Sequence, residues 1–207
     1  MLPPVYPIVD TAALARTVLS PEEFARAFVD GGALLLQFRH KENFNRNAFE
    51  TLQRIAALGV PVMVNDRADL ALASGAAGVH LGQDDLPPAL ARRILPGQTI
   101  GYSTHNRAQL AAGDAEPVDY LAIGPVFATG SKLNPDPQVG IDALPSLRQL
   151  TRKPLVAIGG ITRTTAPQVW AAGIDSIAVI GDLLPEHPTP LAVRERMEEW
   201  LSLAPRP

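Results

Sequence analysis

Short apolar runs alternate with helix-forming segments along the whole chain, and this alternation constrains the fold more than any other feature of the sequence. Several runs are apolar at every position, as strands of parallel sheets are. The segments between them show a helical period and start or stop signals, such as Ser20-Pro21-Glu22-Glu23 before a helix and Gly75 after one. Eight strand candidates and eight helix candidates predict an α/β protein, a single (β/α)8 TIM barrel spanning residues 1–207. A doubly wound open sheet is the alternative.

The element boundaries follow from the same signals. The predicted strands are 5–9, 33–38, 61–64, 77–81, 99–102, 118–123, 154–158 and 175–180. The predicted helices are 21–30, 45–58, 68–74, 88–95, 106–112, 141–150, 165–172 and 191–203. Residues 126–139 form the longest irregular stretch, which in a compact domain is usually functional. His80 lies inside a predicted strand and is interpreted as a hydrogen-bonded core histidine.

Composition excludes several classes of function. The net charge is -3 and there is no basic run, which argues against a nucleic-acid partner. The chain has no cysteine, so disulfides, thiolate metal sites and a cysteine nucleophile are excluded. No apolar run approaches the roughly 18 residues needed to cross a bilayer, and the first residues do not have the pattern of a signal peptide. We therefore expect a cytoplasmic protein without a membrane partner that acts on small molecules, with homo-oligomers as a possibility.

Residues 59–85 hold two predicted strands that each end in polar oxygen-bearing side chains. The first strand ends in Asn65 and Asp66, and the second is followed by Asp84 and Asp85. Parallel strands of one βαβ unit end on the same face, which would bring Asp66 close to one of the two later aspartates. Such a pair can hold a hard divalent cation. The alternative is that these residues cap the following helices.

Residues that could bind a ligand also follow most of the remaining predicted strands. In a barrel, the face at the C-terminal ends of the strands carries the active site. The residues at this face are Asp10, Gln37, Arg39, Lys41, Asn65, Asp66, Gln83, Asp84, Asp85, Ser103, Thr129, Ser131, Lys132, Gly159, Gly160 and Gly181. Cations and a magnesium site suit a substrate with several phosphate charges. Glycines after the last two strands suit a second phosphate, bound by backbone N–H groups. Taken singly, the cations could lie in a solvated loop and the glycines in a plain turn.

Six strand-end motifs, in order, identify a family resemblance. They are Gln37-Phe38-Arg39-His40-Lys41, Asn65-Asp66-Arg67, the run from Gly78 to Asp85, the run from Gly101 to His105, the run from Gly124 to Lys132, and Ala157-Ile158-Gly159-Gly160-Ile161. Over nearly its whole length the chain resembles thiamine phosphate synthase. The resemblance implies a Mg²⁺-dependent transferase of thiamine biosynthesis on a TIM barrel. It would join a hydroxymethylpyrimidine diphosphate to a thiazole phosphate by a dissociative substitution, releasing pyrophosphate.

The resemblance also implies roles by position. Catalysis would rest on Arg39, Lys41, Ser103 and Lys132. The pyrimidine diphosphate would be bound by Gln37, Phe38, Arg39, His40, Lys41, Asn65, Ser103 and Lys132. The thiazole phosphate would be bound by Thr129, Gly130, Ser131, Gly160, Ile180 and Gly181. Mg²⁺ would be held by Asp66 and Asp85.

Some positions depart from the family pattern. Phe38 stands in place of Leu, Ser131 in place of Thr, Thr165 in place of Asn, and Gly181 in place of Ser. The last two fall on the thiazole phosphate side. Two other functions stay open: a related thiazole tautomerase, in which a His typically follows the glycine where this chain has Gly124-Pro125, and a barrel that binds a thiamine precursor without catalysis.

Overall fold

Parallel strands close into a barrel in a computed structural model, which describes residues 2–15, 17–130 and 136–205. Strand order follows chain order, and the last strand pairs with the first. The strands are β1 Val5–Asp10, β2 Leu36–Arg39, β3 Val62–Asn65, β4 Gly78–Leu81, β5 Thr99–Thr104, β6 Tyr120–Ile123, β7 Leu155–Ile158 and β8 Ser176–Val179. The closed barrel confirms the predicted (β/α)8 fold, and the open-sheet alternative is wrong.

Helices follow the strands around the outside of the barrel. Those in the described ranges are α1 Thr11–Leu14, α2 Pro21–Asp30, α3 Arg46–Ala56, α4 Ala68–Ser74, α5 Pro88–Ile94, α6 Arg107–Asp114, α7 Leu144–Arg148, α8 Ala166–Ala171 and α9 Pro190–Leu203, with 3₁₀ turns at Ile141–Ala143 and Gly181–Leu183. Helix α1 was not expected from the sequence, and the Asp10 side chain caps it by accepting from the Ala13 N–H at 3.0 Å. Strand β5 runs two residues past its predicted end because Ser103 and Thr104 pair with β6.

Local signals explain why several helices begin where they do. Ser20 and Glu23 form the expected capping box before α2. Asn45 and Asn106 cap α3 and α6 by accepting from backbone N–H groups in the first turn. Gly75 ends α4 in the left-handed conformation that glycine adopts without strain. These start and stop signals hold each helix at the length that returns the chain to the next strand.

Alternate residues of each strand point to opposite sides of the barrel wall. Outward residues pack with the helices into the larger apolar core, in which Phe24 and Phe28 of α2 are almost wholly buried. Burying each such ring contributes about 1.5–3 kcal/mol. Inward residues form a smaller cluster that fills the barrel: Tyr6, Ile8, Leu35, Met63, Tyr120, Ala122, Val156 and Ala178. The strands are thus buried on both faces, and their C-terminal ends surround a single opening.

None of the helices in the described ranges is long and apolar enough to cross a membrane.

Candidate active site

A cavity of about 500 Å³ lies at the C-terminal ends of the strands. It is lined by nine of the predicted site residues: Gln37, Arg39, Asn65, Ser103, Thr129, Gly130, Gly160, Ile180 and Gly181. Five others lie outside its lining: Phe38, His40, Lys41, Asp66 and Asp85. Ser131 and Lys132 are outside the described residues. The structure therefore brings together predicted residues from six strand ends that are far apart in sequence.

Strand parity separates the residues of the Gln37-to-Lys41 motif. Gln37 and Arg39 point into the barrel and line the cavity. Phe38 points outward into the helix-facing core and is 1% exposed. The His40 ring stacks on the Phe38 ring at a centroid distance of 6.3 Å, and its Nδ1 lies 2.9 Å from the Thr11 hydroxyl. Phe38 and His40 therefore support the strand end from behind and do not face the cavity.

The Arg39 guanidinium is held by an ion pair with Asp10 at the end of β1. The side chain of Asp10 is 4% exposed and that of Arg39 is 16% exposed. A buried carboxylate is costly unless it is paired, so Asp10 and Arg39 depend on each other. Since Arg39 is also at the cavity wall, the pair presents a fixed positive group to the opening.

Asp66 follows β3 in an unusual backbone conformation. Its φ is 65°, in the left-handed region that Asp tolerates better than most residues. The Asp66 N–H donates to the His80 carbonyl of the next strand at 2.8 Å, which holds the turn in place. Its carboxylate pairs with the Lys41 ammonium. Asp66 does not cap α4, whose N-cap is Arg67 without a side-chain bond, so the capping alternative is wrong for this residue.

The carboxyl groups of Asp66 and Asp85 lie close together at the ends of β3 and β4. Burial raises the pKa of Asp66, Lys41 lowers it, and the neighbouring Asp85 raises it further. Asp85 is positioned by the Gly82 N–H, which donates to its carboxylate at 2.6 Å. It does not cap α5 either, because the N-cap there is Pro87. Asp84 is exposed, so the geometry selects Asp85 as the partner of Asp66.

These two carboxylates suit a hard divalent cation. Two negative groups that repel each other gain from a cation between them, and Mg²⁺ usually takes one or two carboxylates and fills its other positions with water and phosphate. Within the described ranges no group of three or more His, Asp or Glu side chains could hold a metal ion. Two carboxylates leave a hard divalent cation with positions that water or phosphate oxygens can fill.

Two neutral hydrogen-bonding side chains complete this charged side of the cavity, which consists of the ends of β2 to β5. The Asn65 amide nitrogen is buried and has no hydrogen-bond partner among the described residues. A buried donor without a partner costs about 1–3 kcal/mol, so it is suited to receive a ligand acceptor. The Ser103 backbone is held by Gln83, whose amide donates to the Ser103 carbonyl at 2.6 Å.

The opposite, glycine side of the cavity consists of the ends of β6 to β8. Gly159 and Gly160 both have positive φ, 98° and 66°. Residues of the β6 end pack directly on them, and a Cβ on Gly160 would lie 2.3 Å from the Ala128 carbonyl oxygen. The Phe127 N–H donates to the Gly159 carbonyl at 3.0 Å, which joins the two segments. The glycine pair is thus required by both backbone conformation and close approach.

The two departures from the family pattern on this side have local explanations. The Thr165 hydroxyl accepts from the Thr162 N–H at 3.0 Å and so closes the turn before α8. At Gly181 an added Cβ would meet no atom within 4 Å. The neighbouring Asp182 lines the cavity, but its carboxylate is engaged by Arg163 at 3.0 Å and by the Trp200 indole N–H at 2.9 Å. Neither substitution therefore obstructs the cavity.

A chain of buried polar side chains, which the sequence reasoning missed, crosses the barrel below the cavity. It runs Gln37, Tyr6, Tyr120, His80, Ser103, with successive contacts of 3.1, 3.1, 2.9 and 2.8 Å. His80 is buried and hydrogen-bonded, as predicted, but it also lines the cavity. A tyrosine inside an apolar strand is the sequence signal for this chain, because its buried hydroxyl needs a hydrogen-bond partner.

Comparison with known proteins identifies the family to which the chain is similar. A family model described as thiamine monophosphate synthase matches residues 5–183. A thiamine-phosphate synthase of Koribacter versatilis is 48% identical, covering 98% of this chain and 96% of its own, and one of Chloroflexus aurantiacus is 39% identical, covering 91% and 88%. The solved thiamine phosphate pyrophosphorylase of Pyrococcus furiosus superposes with a TM-score of 0.84 at 31% identity, covering 96% of this chain and 94% of its own.

These matches cover nearly the whole barrel, including all eight strands and the residues that line the cavity. They agree with an enzyme that acts on small molecules, as the cavity indicates. The chain belongs to the thiamine monophosphate synthase family and is a transferase of thiamine biosynthesis.

Proposed function

We propose that the enzyme condenses a hydroxymethylpyrimidine diphosphate with a thiazole phosphate, giving thiamine phosphate and pyrophosphate with Mg²⁺ as cofactor. The C–O bond between the pyrimidine methylene carbon and the diphosphate breaks, and its electron pair leaves with pyrophosphate. The thiazole nitrogen then gives its lone pair to the same carbon. The observation that carries this proposal is one cavity with a charged side and a glycine side, which suits one diphosphate and one monophosphate.

The charged side would bind the leaving diphosphate. Arg39, Lys41 and the buried Asn65 amide offer positive charge or hydrogen-bond donors at neighbouring strand ends. Ser103 adds a hydroxyl on the same side, and Lys132, outside the described residues, would add a further cation. Negative charge builds on pyrophosphate as the bond breaks, so donors held in place before the reaction stabilise the transition state more than the ground state.

Asp66 and Asp85 would hold the Mg²⁺. Lys41, which pairs with Asp66 in the structure, would shift to the diphosphate when the cation takes up the carboxylate charge. Bound Mg²⁺ supplies electrostatic stabilisation of the leaving group. The protein's part is to keep the two carboxylates together and the surrounding donors aimed at the same phosphate oxygens.

The pyrimidine would lie against Gln37, deeper in the barrel. Gln37 is 3% exposed and its amide nitrogen is used by Tyr6, so its carbonyl oxygen is left for a donor on the ligand. Phe38 and His40 would act indirectly, by packing behind Gln37 and Arg39. The apolar side chains of Ile8, Val156 and Ile158 also line the cavity and would limit water near the reacting carbon.

The glycine side would bind the thiazole phosphate. Gly160 and Gly181 allow the backbone to approach a phosphate closely, and Thr129, Gly130 and Ile180 line the same part of the cavity. Ser131, outside the described residues, would add a hydroxyl. This side needs no change of charge during the reaction, since the thiazole phosphate group is not transferred.

The test is pyrophosphate release by purified enzyme with the pyrimidine diphosphate, the thiazole phosphate and Mg²⁺, each omitted in turn. The proposal predicts release only with all three, with thiamine phosphate formed in equal amount. Thiazole isomerisation without pyrophosphate release would assign the protein to the tautomerases. Binding of the precursors without either reaction would identify a binding protein.

We also infer that the enzyme works in the cytoplasm, on the sequence grounds given above.

A further inference from the structure

The buried polar chain connects the two parts of the cavity that would hold the two ends of the pyrimidine diphosphate. Gln37 lies at one end of the chain and Ser103 at the other, and both line the cavity. Between them, Tyr6 and Tyr120 are each 1% exposed and His80 is 8% exposed. Their rings pack tightly, with Tyr6 edge-on to Tyr120 at 6.2 Å and His80 stacked on Tyr120 at 5.5 Å. This packing holds the hydroxyl and imidazole atoms in the contacts described above.

Gly101 makes this contact possible. It lies on β5 opposite Tyr120, and a Cβ there would lie 2.1 Å from the Tyr120 ring carbon that bears the hydroxyl and 2.6 Å from the His80 Nδ1. Its φ is not in the left-handed region, so backbone conformation does not explain the glycine. The missing side chain leaves the space in which Tyr120 and His80 meet.

The direction of donation along the chain can be followed from the Gln37 end. The Gln37 amide nitrogen can only donate, so the Tyr6 hydroxyl accepts from it. Among the described residues, the other contact of the Tyr6 hydroxyl is the Tyr120 hydroxyl, so Tyr6 uses its single hydrogen there. Tyr120 then accepts from Tyr6 and donates its own hydrogen to Nδ1 of His80. Burial raises the pKa of both tyrosines well above the ordinary value, so both hydroxyls keep these hydrogens.

A neutral imidazole has one donor nitrogen and one acceptor nitrogen. If Nδ1 accepts from Tyr120, the hydrogen is on Nε2, which donates to the Ser103 hydroxyl oxygen at 2.8 Å. Ser103 then keeps its own hydrogen for a ligand in the cavity. If donation ran in the opposite direction, the Ser103 hydroxyl would donate to Nε2 of His80. It would then have only lone pairs to offer to an anion. In that case Tyr6 would also have to accept twice and leave its own hydrogen buried without an acceptor.

We propose that Tyr120, through His80, is a positioning residue that turns Ser103 into a hydrogen-bond donor for the diphosphate. Gln37 donates to Tyr6 in the same direction. One chain therefore sets which groups donate and which accept at both ends of the bound pyrimidine diphosphate. Tyr120 is not among the residues that line the cavity and contacts no substrate in this scheme. The inference rests on the proposed function for the identity of the ligand, but the tautomer of His80 can be measured without any turnover.

The first part of the test uses the unmodified protein. Histidine is labelled with ¹⁵N, and long-range ¹H–¹⁵N correlation spectra distinguish the Nε2–H from the Nδ1–H tautomer. The chain has four histidines, and His80→Gln assigns the His80 signals by their loss. The proposal predicts the Nε2–H tautomer. The Nδ1–H tautomer or a doubly protonated ring would overturn it, whatever reaction the enzyme catalyses.

The second part compares Tyr120→Phe with Ser146→Ala, which removes a hydroxyl from an exposed residue of α7 outside the chain and the cavity. Tyr120→Phe should weaken binding of pyrophosphate in the presence of Mg²⁺ by about tenfold, and should raise KM for the pyrimidine diphosphate without raising KM for the thiazole phosphate. The His80 spectrum should lose its single tautomer. Ser146→Ala should change none of these.

Unchanged pyrophosphate affinity and an unchanged His80 spectrum in folded Tyr120→Phe would contradict the proposal. If that variant does not fold, Tyr6→Phe breaks the same chain one step earlier, and the spectrum of the unmodified protein still decides. If pyrophosphate does not bind the unmodified protein, the proposed function fails, and the tautomer measurement tests the chain separately.

Discussion

The charged side and the glycine side of the cavity are suited to anions by different physical means. On the charged side, ionic side chains are already paired with each other, Arg39 with Asp10 and Lys41 with Asp66. On the glycine side, the described cavity wall consists mostly of glycines and apolar residues, and the one carboxylate among them, Asp182, is engaged by Arg163 and Trp200. The first arrangement is suited to charge that changes during a reaction. The second is suited to a phosphate group that only needs to be held.

The difference also affects stability. An ion pair at the charged side costs free energy if one partner is removed, since the other is left buried without compensation. The glycine side depends on backbone conformations that a side chain would strain, because Gly160 has a φ of 66° and lies against the β6 end. Substitutions on the charged side should therefore leave a buried charge unpaired, whereas substitutions on the glycine side should strain the backbone. This difference can be tested.

Replacing Arg39 should have the largest effect, on stability and on activity. Arg39→Met leaves the Asp10 carboxylate buried and unpaired, so we expect unfolding free energy to fall by about 3–5 kcal/mol in urea titrations. Pyrophosphate release should fall by about 1,000-fold. In the double variant Asp10→Asn with Arg39→Met, stability should largely return because Asn still caps α1, whereas activity should not. Recovery of activity would show that Arg39 has only a structural role.

Asp66→Asn should separate activity from stability. Asn tolerates a φ of 65° as well as Asp does, so the fold should be unchanged. Loss of one of two carboxylates should lower kcat/KM by about 100-fold and raise the Mg²⁺ concentration needed for half-maximal rate. The control is Asp69→Asn, which removes an exposed carboxylate three residues away that pairs with Arg67. Equal effects of the two variants would remove the metal assignment.

Gly160→Ala should damage the glycine side through its backbone. The positive φ and the approach to the Ala128 carbonyl should together cost about 1–3 kcal/mol and displace the β6 end. We expect KM for the thiazole phosphate to rise at least about fivefold, with pyrophosphate binding unchanged. Gly59→Ala is the matched control, because Gly59 has a φ of 87° but no atom within 4 Å of an added Cβ. A similar KM change in both variants would rule out a local role for the glycine.

The smallest effect is expected for Gly181→Ser. The added side chain meets no atom within 4 Å and the backbone is not in the left-handed region, so stability should change by no more than about 0.5 kcal/mol. The new hydroxyl faces the part of the cavity assigned to the thiazole phosphate. KM for that substrate should fall by at most about fivefold. A rise in KM would indicate that the phosphate lies elsewhere.

Sequence reasoning predicted the barrel well because alternation of strands and helices is a repeated signal, and short start and stop motifs define each helix. It also selected the correct end of the barrel, since polar residues at successive strand ends must meet there. Phe38 and His40 were predicted to bind the pyrimidine diphosphate because every residue of the Gln37-to-Lys41 motif was assigned to the substrate. Strand geometry instead sends alternate residues to opposite faces. Tyr6 and Tyr120 were missed because they lie within strands and not at their ends.

The strand pattern could not choose between Asp84 and Asp85, and only the family resemblance selected Asp85, since the choice depends on the turn that the Gly82 N–H closes. The positive φ of Asp66 was equally hidden, because no local sequence signal distinguishes it from a helix cap. A hydrogen bond between neighbouring strand ends decides the geometry of Asp66, and one within the loop after β4 decides that of Asp85.

The contrast between the two sides is tested most directly by calorimetric titration of pyrophosphate and of thiazole phosphate into the unmodified enzyme, each with and without Mg²⁺. We expect Mg²⁺ to strengthen pyrophosphate binding by about 100-fold or more and to leave thiazole phosphate binding nearly unchanged. Equal dependence of both ligands on Mg²⁺, or none for pyrophosphate, would contradict the assignment of a metal-assisted charged side and a backbone glycine side.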